Sequence, residues 1–106
     1  MRATLQTLEQ TIRQRRNADP SASYVAKLAA KGRAKIAQKV GEEAVETVIA
    51  AMADDRDGAI GESADLIFHL MMLLADLDIS FDAVLDELDR REGVSGIAEK
   101  ASRAKD

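Results

Sequence analysis

The sequence contains no cysteine and no tryptophan, and only one proline, one tyrosine and two phenylalanines. Without cysteine there is neither a disulfide framework nor a thiolate metal site. With aromatics at 3% of 106 residues, the packing falls to Ala, Leu, Val, Ile and Met, which dominate a hydrophobic total of 46%. The strongest apolar run, Leu66 to Ala75, is too short to cross a bilayer. No signal-peptide pattern opens the chain, since Met1 to Arg16 is polar and amphipathic. These absences point to a cytoplasmic protein with no membrane partner. There is also no internal repeat or low-complexity segment. A length of 106 residues suits one domain.

Positive charge does not dominate either. The net charge of −4 divides into +7 over residues 1–40, −13 over residues 41–89 and +2 over residues 90–106. A nucleic-acid binder should present a dominant basic surface, so this split argues against one. The basic part suits phosphates and the acidic part suits metal.

What the sequence does have is an acidic cluster in apolar surroundings. Lys39-Val40-Gly41-Glu42-Glu43-Ala44-Val45-Glu46 sits in a segment whose other members include Ile36, Val48, Ile49 and Met52. On a helix with Glu42 at 0°, Lys35, Lys39 and Glu46 fall within about 60° and Glu43 at about 100°. Lys39, followed by Lys35, is therefore the leading candidate for a phosphate contact. A helix apolar nearly all round is expected to be buried, and buried carboxylates are costly unless paired or metal-bound. A second acidic pair, Glu62 and Asp65, opens the next apolar run, with His69 four residues on. The pairs Glu43/Glu46 and Glu62/Asp65 are each three apart, so each pair shares a helix face. Across an antiparallel helix pair they can meet. Four carboxylates form a hard oxygen site suited to Mg²⁺ or Mn²⁺. Spacing alone leaves a solvated acidic face equally open. His69 reads as a satisfied core histidine or as a partner to a ligand.

Gly41-Glu42-Glu43-Ala44-Val45-Glu46, then Glu62-Ser63-Ala64-Asp65-Leu66-Ile67-Phe68-His69 after a 15-residue spacer, resembles the phosphoribosyl-ATP pyrophosphohydrolase family. That family belongs to the all-α, MazG-type nucleotide pyrophosphohydrolases, whose pattern is EExxE, a spacer, then ExxD. The flanks Ser23-Tyr24-Val25-Ala26-Lys27-Leu28 and Arg91-Glu92-Gly93-Val94-Ser95-Gly96 narrow the resemblance to this member. It implies Mg²⁺-dependent cleavage of phosphoribosyl-ATP, a small nucleotide substrate, in the second step of histidine biosynthesis. It implies metal ligands at Glu43, Glu46, Glu62 and Asp65. Glu42, Glu43 and Glu46 then form the catalytic set, Glu42 supporting the metal and water network.

The remaining elements read in order. A first helix runs from Thr4 to about Arg16, with Arg13, Arg15 and Arg16 as cations at its C-terminal end. After the Asn17–Ser23 loop, Ser23 caps a short helix, Tyr24 to about Ala30. The motif helices run from about Arg33 to Ala53 and from Ala59 to about Leu77, with Asp55 or Asp57 as cap. Ser80 caps a helix closed by Arg90 and Arg91 and ended by Gly93. The tail, about 94–106, is expected to order only against a partner subunit or substrate. The fold expected is all-α, a four- to five-helix protomer forming a dimeric helical bundle. A homodimer follows because so short a chain cannot easily cover two almost wholly apolar helices. Two rival functions stay open: a house-cleaning nucleoside triphosphate pyrophosphohydrolase, and a non-enzymatic helical dimerisation module. The spacing argues against a ferritin-like di-iron centre, which needs Glu-x-x-His where this sequence has Glu-x-x-Asp.

Overall fold

A computed structural model describes residues 2–93 together with Gly96, Lys100 and Arg103. The tail expectation for residues 94–106 therefore lies largely outside the described residues. Five helices follow one another: α1 (Arg2–Arg15), α2 (Tyr24–Lys31), α3 (Arg33–Met52), α4 (Arg56–Asp76) and α5 (Phe81–Arg90), with no strand among the described residues. The class is all-α, as the sequence implies.

Local chemistry sets the helix starts. Ser23 accepts the Ala26 N–H at 3.3 Å, Asp55 accepts that of Gly58 at 3.0 Å, and Ser80 that of Asp82 at 3.2 Å. Each replaces a hydrogen bond that a first-turn amide cannot make within its helix. Asp55, rather than Asp57, is thus the cap of α4, and the helix begins three residues earlier than its apolar pattern suggests. Only Gly32 separates α2 from α3, at φ 95°, a conformation that a Cβ disfavours.

The core lies where α1 and α2 cross the start of α3 and the end of α4. Ile12, Val25, Leu28, Ile36, Met71, Met72 and Ala75 are buried there, with Leu5, Leu8, Phe68 and Phe81 packed around them. Met71 and Met72 are packing residues, as expected. Ile36 is 1% exposed, so Ile36→Ala is expected to destabilise the protein by about 2–5 kcal/mol, the cost of lost transfer plus a cavity. Denaturant unfolding measures this.

The arginines ending α1 do more than answer a helix dipole, which corrects the simpler expectation. Arg16 donates to the Ala75 carbonyl at 2.6 Å, satisfying a C-terminal oxygen of α4, and Arg13 donates to Asp78 at 3.2 Å and to the Ile79 carbonyl at 3.3 Å. Glu9 accepts the Phe81 N–H at 2.7 Å, and Arg2 binds Asp82 and Asp89, so α5 rests on α1.

Glu87 takes a two-pronged bond from Arg90, at 2.9 and 2.7 Å, and one from Arg91 at 2.9 Å. Led by the Arg90 bond, these arginines hold its carboxyl at about 2. A depressed acid contributes stability above its unfolded value, near 4.5, and loses it as pH falls toward about 2. Glu87→Gln is therefore expected to lower the melting temperature slightly at pH 7 and not at all near pH 2, as thermal scans across pH will show.

Burial departs from expectation on α3. Only Ile36 and Ala50 are buried there, while Val45, Val48, Ile49 and Met52 are 58–81% exposed, and Ile60 and Ile67 of α4 extend the same uncovered half of the hairpin. α1 and α2 cover one end of the α3–α4 pair and leave the end near its turn bare. α4 is also long and apolar enough to cross a membrane by length and composition, more so than its densest run suggests. Yet it carries Glu62, Asp65 and His69 and packs on α1, α2 and α3.

Candidate active site

The facing sides of α3 and α4 follow a seven-residue rhythm. On α3, Ile36, Val40, Glu43, Thr47 and Ala50 turn inward to varying degrees, a spacing that keeps one stripe toward a partner helix. Glu43 thus lies in the stripe and Glu42 beside it, exposed. The sequence grouping of Glu42 with Glu46 and the lysines describes a sector of the helix, but not the face turned toward α4. Thr47 bonds back to the Glu43 carbonyl at 2.7 Å, so its hydroxyl is satisfied inside the contact.

Glu43, Glu62 and Asp65 each offer one oxygen, and these oxygens lie within 4.8 Å of one another. Glu46 joins them through Glu62. The Glu46 contact, aided by burial and by the charges of Glu46, Asp65 and Glu43, raises the Glu62 carboxyl above its ordinary value. Like charges forced together resist ionisation. One Glu43 oxygen, Oε1, is buried without a hydrogen bond of its own, although His69 Nδ1 stands 2.5 Å away. The ring instead directs Nδ1 at the Asp65 carbonyl, 3.0 Å away. A buried, underbonded carboxylate amid three others is a costly arrangement for the protein alone. Its donor set, all oxygen and drawn from two helices, fits a hard dication.

Glu42 is not part of this group. Its carboxylate accepts from Gln38 at 3.0 Å and lies 4.0 Å from Lys39. Gln38, then Lys39 and Lys35, hold it below the usual carboxylate range, which favours a fixed charge over a proton acceptor.

Lys35 and Lys39 line a cleft of about 230 Å³ with Tyr24, Lys27, Leu28 and Lys31. Lys27 and Lys31 thus share the cleft with the two lysines that the sequence singles out. The i, i+4 repeat from Lys27 to Lys39 was the available signal; it survives the Gly32 break because α3 continues on the same side. Tyr24 joins the cleft to the carboxylates, since its hydroxyl lies 2.8 Å from His69 Nε2. A basic cleft beside an acidic centre can hold a polyphosphate by its oxygens, and the neighbouring carboxylates would hold a cation to offset its charge.

Comparison with known proteins agrees with this geometry. The family model described as phosphoribosyl-ATP pyrophosphohydrolase matches residues 5–92. A protein of Rhizorhabdus wittichii named phosphoribosyl-ATP pyrophosphatase is 69% identical over 105 residues, 99% of each chain. One of Novosphingobium aromaticivorans with the same name is 70% identical over 100 residues, 94% of each chain. One of Zymomonas mobilis, also so named, is 61% identical over 102 residues, 96% of this chain and 95% of its own. With its acidic pairs facing each other across α3 and α4 and its relatives matched nearly end to end, the chain belongs to the phosphoribosyl-ATP pyrophosphohydrolase family.

Proposed function

We propose that this chain hydrolyses 1-(5-phosphoribosyl)-ATP to 1-(5-phosphoribosyl)-AMP and pyrophosphate, the second step of L-histidine biosynthesis, as a cytoplasmic homodimer. The observation that carries the reading is the convergence of Glu43, Glu46, Glu62 and Asp65 beside a four-lysine cleft. A solvated acidic face does not explain a Glu43 side chain only 12% exposed with a buried Oε1, and a pure dimerisation module does not explain the cleft.

The four carboxylates are the ligands for Mg²⁺, or Mn²⁺ in its place. When bound, the cation supplies charge neutralisation and orientation of the polyphosphate. The protein's own groups do the rest. Lys39 and Lys35, with Lys27 and Lys31, hold the phosphate oxygens and offset the repulsion between substrate and carboxylates. Water attacks the α–β phosphoanhydride, the bond to the pyrophosphate leaving group breaks, and the attacking water's proton passes to solvent or a neighbouring carboxylate. Glu42, kept ionised by Gln38 and Lys39, supports the network as a fixed charge.

The bare half of the α3–α4 hairpin, with six exposed large aliphatic side chains, supports a second copy of the chain as the partner that covers it. An apolar patch of this kind on a small protein marks an interaction surface.

The test is pyrophosphate release from phosphoribosyl-ATP with and without Mg²⁺, with ATP and dCTP in parallel. Mg²⁺-dependent release from phosphoribosyl-ATP alone is expected. Release only from the plain triphosphates would transfer the protein to the house-cleaning branch, and no release from any of them would remove the enzymatic reading.

A further inference from the structure

The chain has few rings, and it spends them in one place. Besides Phe81, its tyrosine, remaining phenylalanine and only histidine gather into a cluster. His69 stands edge-on to Phe68 with centroids 5.2 Å apart and edge-on to Tyr24 at 5.9 Å, and Tyr24 tilts over Phe68 at 6.0 Å. The His69 side chain is 8% exposed, enclosed by these rings.

Both ring nitrogens are engaged. A carbonyl oxygen only accepts, so the Asp65 carbonyl, 3.0 Å from Nδ1, assigns a proton to Nδ1. In the neutral ring Nε2 then accepts from the Tyr24 hydroxyl at 2.8 Å. The same Nδ1 lies 2.5 Å from Oε1 of Glu43, the buried oxygen with no hydrogen bond of its own. The Glu43 side chain is 12% exposed, so bulk water offers it little.

We propose that His69 is a positioning residue for Glu43, and that Tyr24 fixes the His69 ring in that duty. The inference rests on the carboxylate cluster being a cation site. A carboxylate that holds a cation needs its other interactions fixed, and groups touching such ligands tune affinity by about 10–100-fold. The His69 ring edge, its Nδ1 2.5 Å from Oε1, walls the Glu43 carboxylate in place, the Asp65 carbonyl holds Nδ1, and Tyr24 blocks the ring from turning over. Because Tyr24 also lines the lysine cleft, one rigid strut runs from the phosphate-binding wall to a cation ligand. The competing account is a histidine that merely fills the core; it predicts lost stability with cation affinity unchanged.

The test measures Mn²⁺ affinity directly, by calorimetry and by the paramagnetic signal of free Mn²⁺, so it does not depend on turnover. The decisive pair is His69→Asn and His69→Gln. Asn places an amide N–H near the Nδ1 position, and Gln places one near Nε2. Affinity within about threefold of the unaltered protein is expected for His69→Asn, and a fall of about 10–100-fold for His69→Gln. Tyr24→Phe, at a half-exposed site that tolerates the change, is expected to weaken binding several-fold, and to add nothing in the His69→Asn background. Equal affinity in the Asn and Gln variants, or an unaffected Tyr24→Phe, overturns the inference while leaving the cation site intact. Absence of Mn²⁺ binding by the unaltered protein overturns the cation site itself and the inference with it.

Discussion

Glu43→Gln is expected to lower pyrophosphate release from phosphoribosyl-ATP by about 10³-fold. Cation-borne charge stabilisation is worth several kcal/mol, and each factor of ten in rate takes about 1.4 kcal/mol. Gln keeps the shape of Glu43 and removes its charge, so the loss falls on cation binding and not on packing. Glu43 lies in the α3–α4 contact, yet the fold should survive. Its charge contributes to holding the Glu62 carboxyl above its ordinary value, so neutralising it relieves repulsion. The far-UV circular dichroism should be unchanged, and the melting temperature in EDTA equal to or above that of the unaltered protein. The activity loss should also shrink as Mg²⁺ is raised if affinity is what was lost. Full turnover by a folded Glu43→Gln protein would take Glu43 out of the site. Glu42→Gln serves as the contrast. Its carboxylate is tied to Gln38 and Lys39 outside the cluster, and it should cost far less.

The second large effect concerns the bare half of the hairpin. Ile49→Asp is expected to turn the proposed homodimer into a monomer at micromolar concentration, read by sedimentation velocity. Val45, Val48, Ile49 and Met52 recur at i, i+3, i+4 and i+7 on α3, one face of a helix. Ile60 and Ile67, seven apart on α4, continue it. Burying one such side chain fully is worth about 1.5–3 kcal/mol, so six on each protomer provide a large drive even after association costs. A carboxylate at the centre of that face forfeits one contact and must be desolvated without a partner. An increase in dissociation constant of 10³-fold or more is therefore about the size expected. A monomeric unaltered protein at 100 μM, or an Ile49→Asp protein that stays dimeric, would remove this face from the interface.

Much of this was legible from local chemistry. Ser23, Asp55 and Ser80 announce helix starts because a cap acts within three residues of itself. The paired carboxylates offer a candidate site because Glu43/Glu46 and Glu62/Asp65 each share a helix face, a spacing that a solvated acidic face would also show. What could not be read was the direction in which each helix turns. α3 is apolar on so much of its circumference that periodicity does not say which side meets its own chain and which stays bare. Glu42 and Glu43 are adjacent, and only the position of α4 decides that Glu43 faces inward. Long-range partners were equally out of reach. Tyr24 and His69 are 45 residues apart, and Arg16 reaches Ala75 across 59. The lysine repeat from Lys27 to Lys39 was visible, but its closure into a cleft depends on the single glycine between α2 and α3.

All four proposed ligands come from two consecutive helices joined by a turn of three residues, 53–55. Their meeting therefore requires almost no loop closure, and such local contacts form early and fast. In the bare protein the same meeting is electrostatically frustrated, because every step toward the native hairpin brings carboxylates together. If the four carboxylates bind Mg²⁺ as proposed, the added cation acts on the kinetics of folding as a substitution would. If the hairpin is formed at the barrier, the cation accelerates folding; if it closes afterwards, the cation slows only unfolding. The proposed cation centre thus also reports when its own two helices come together.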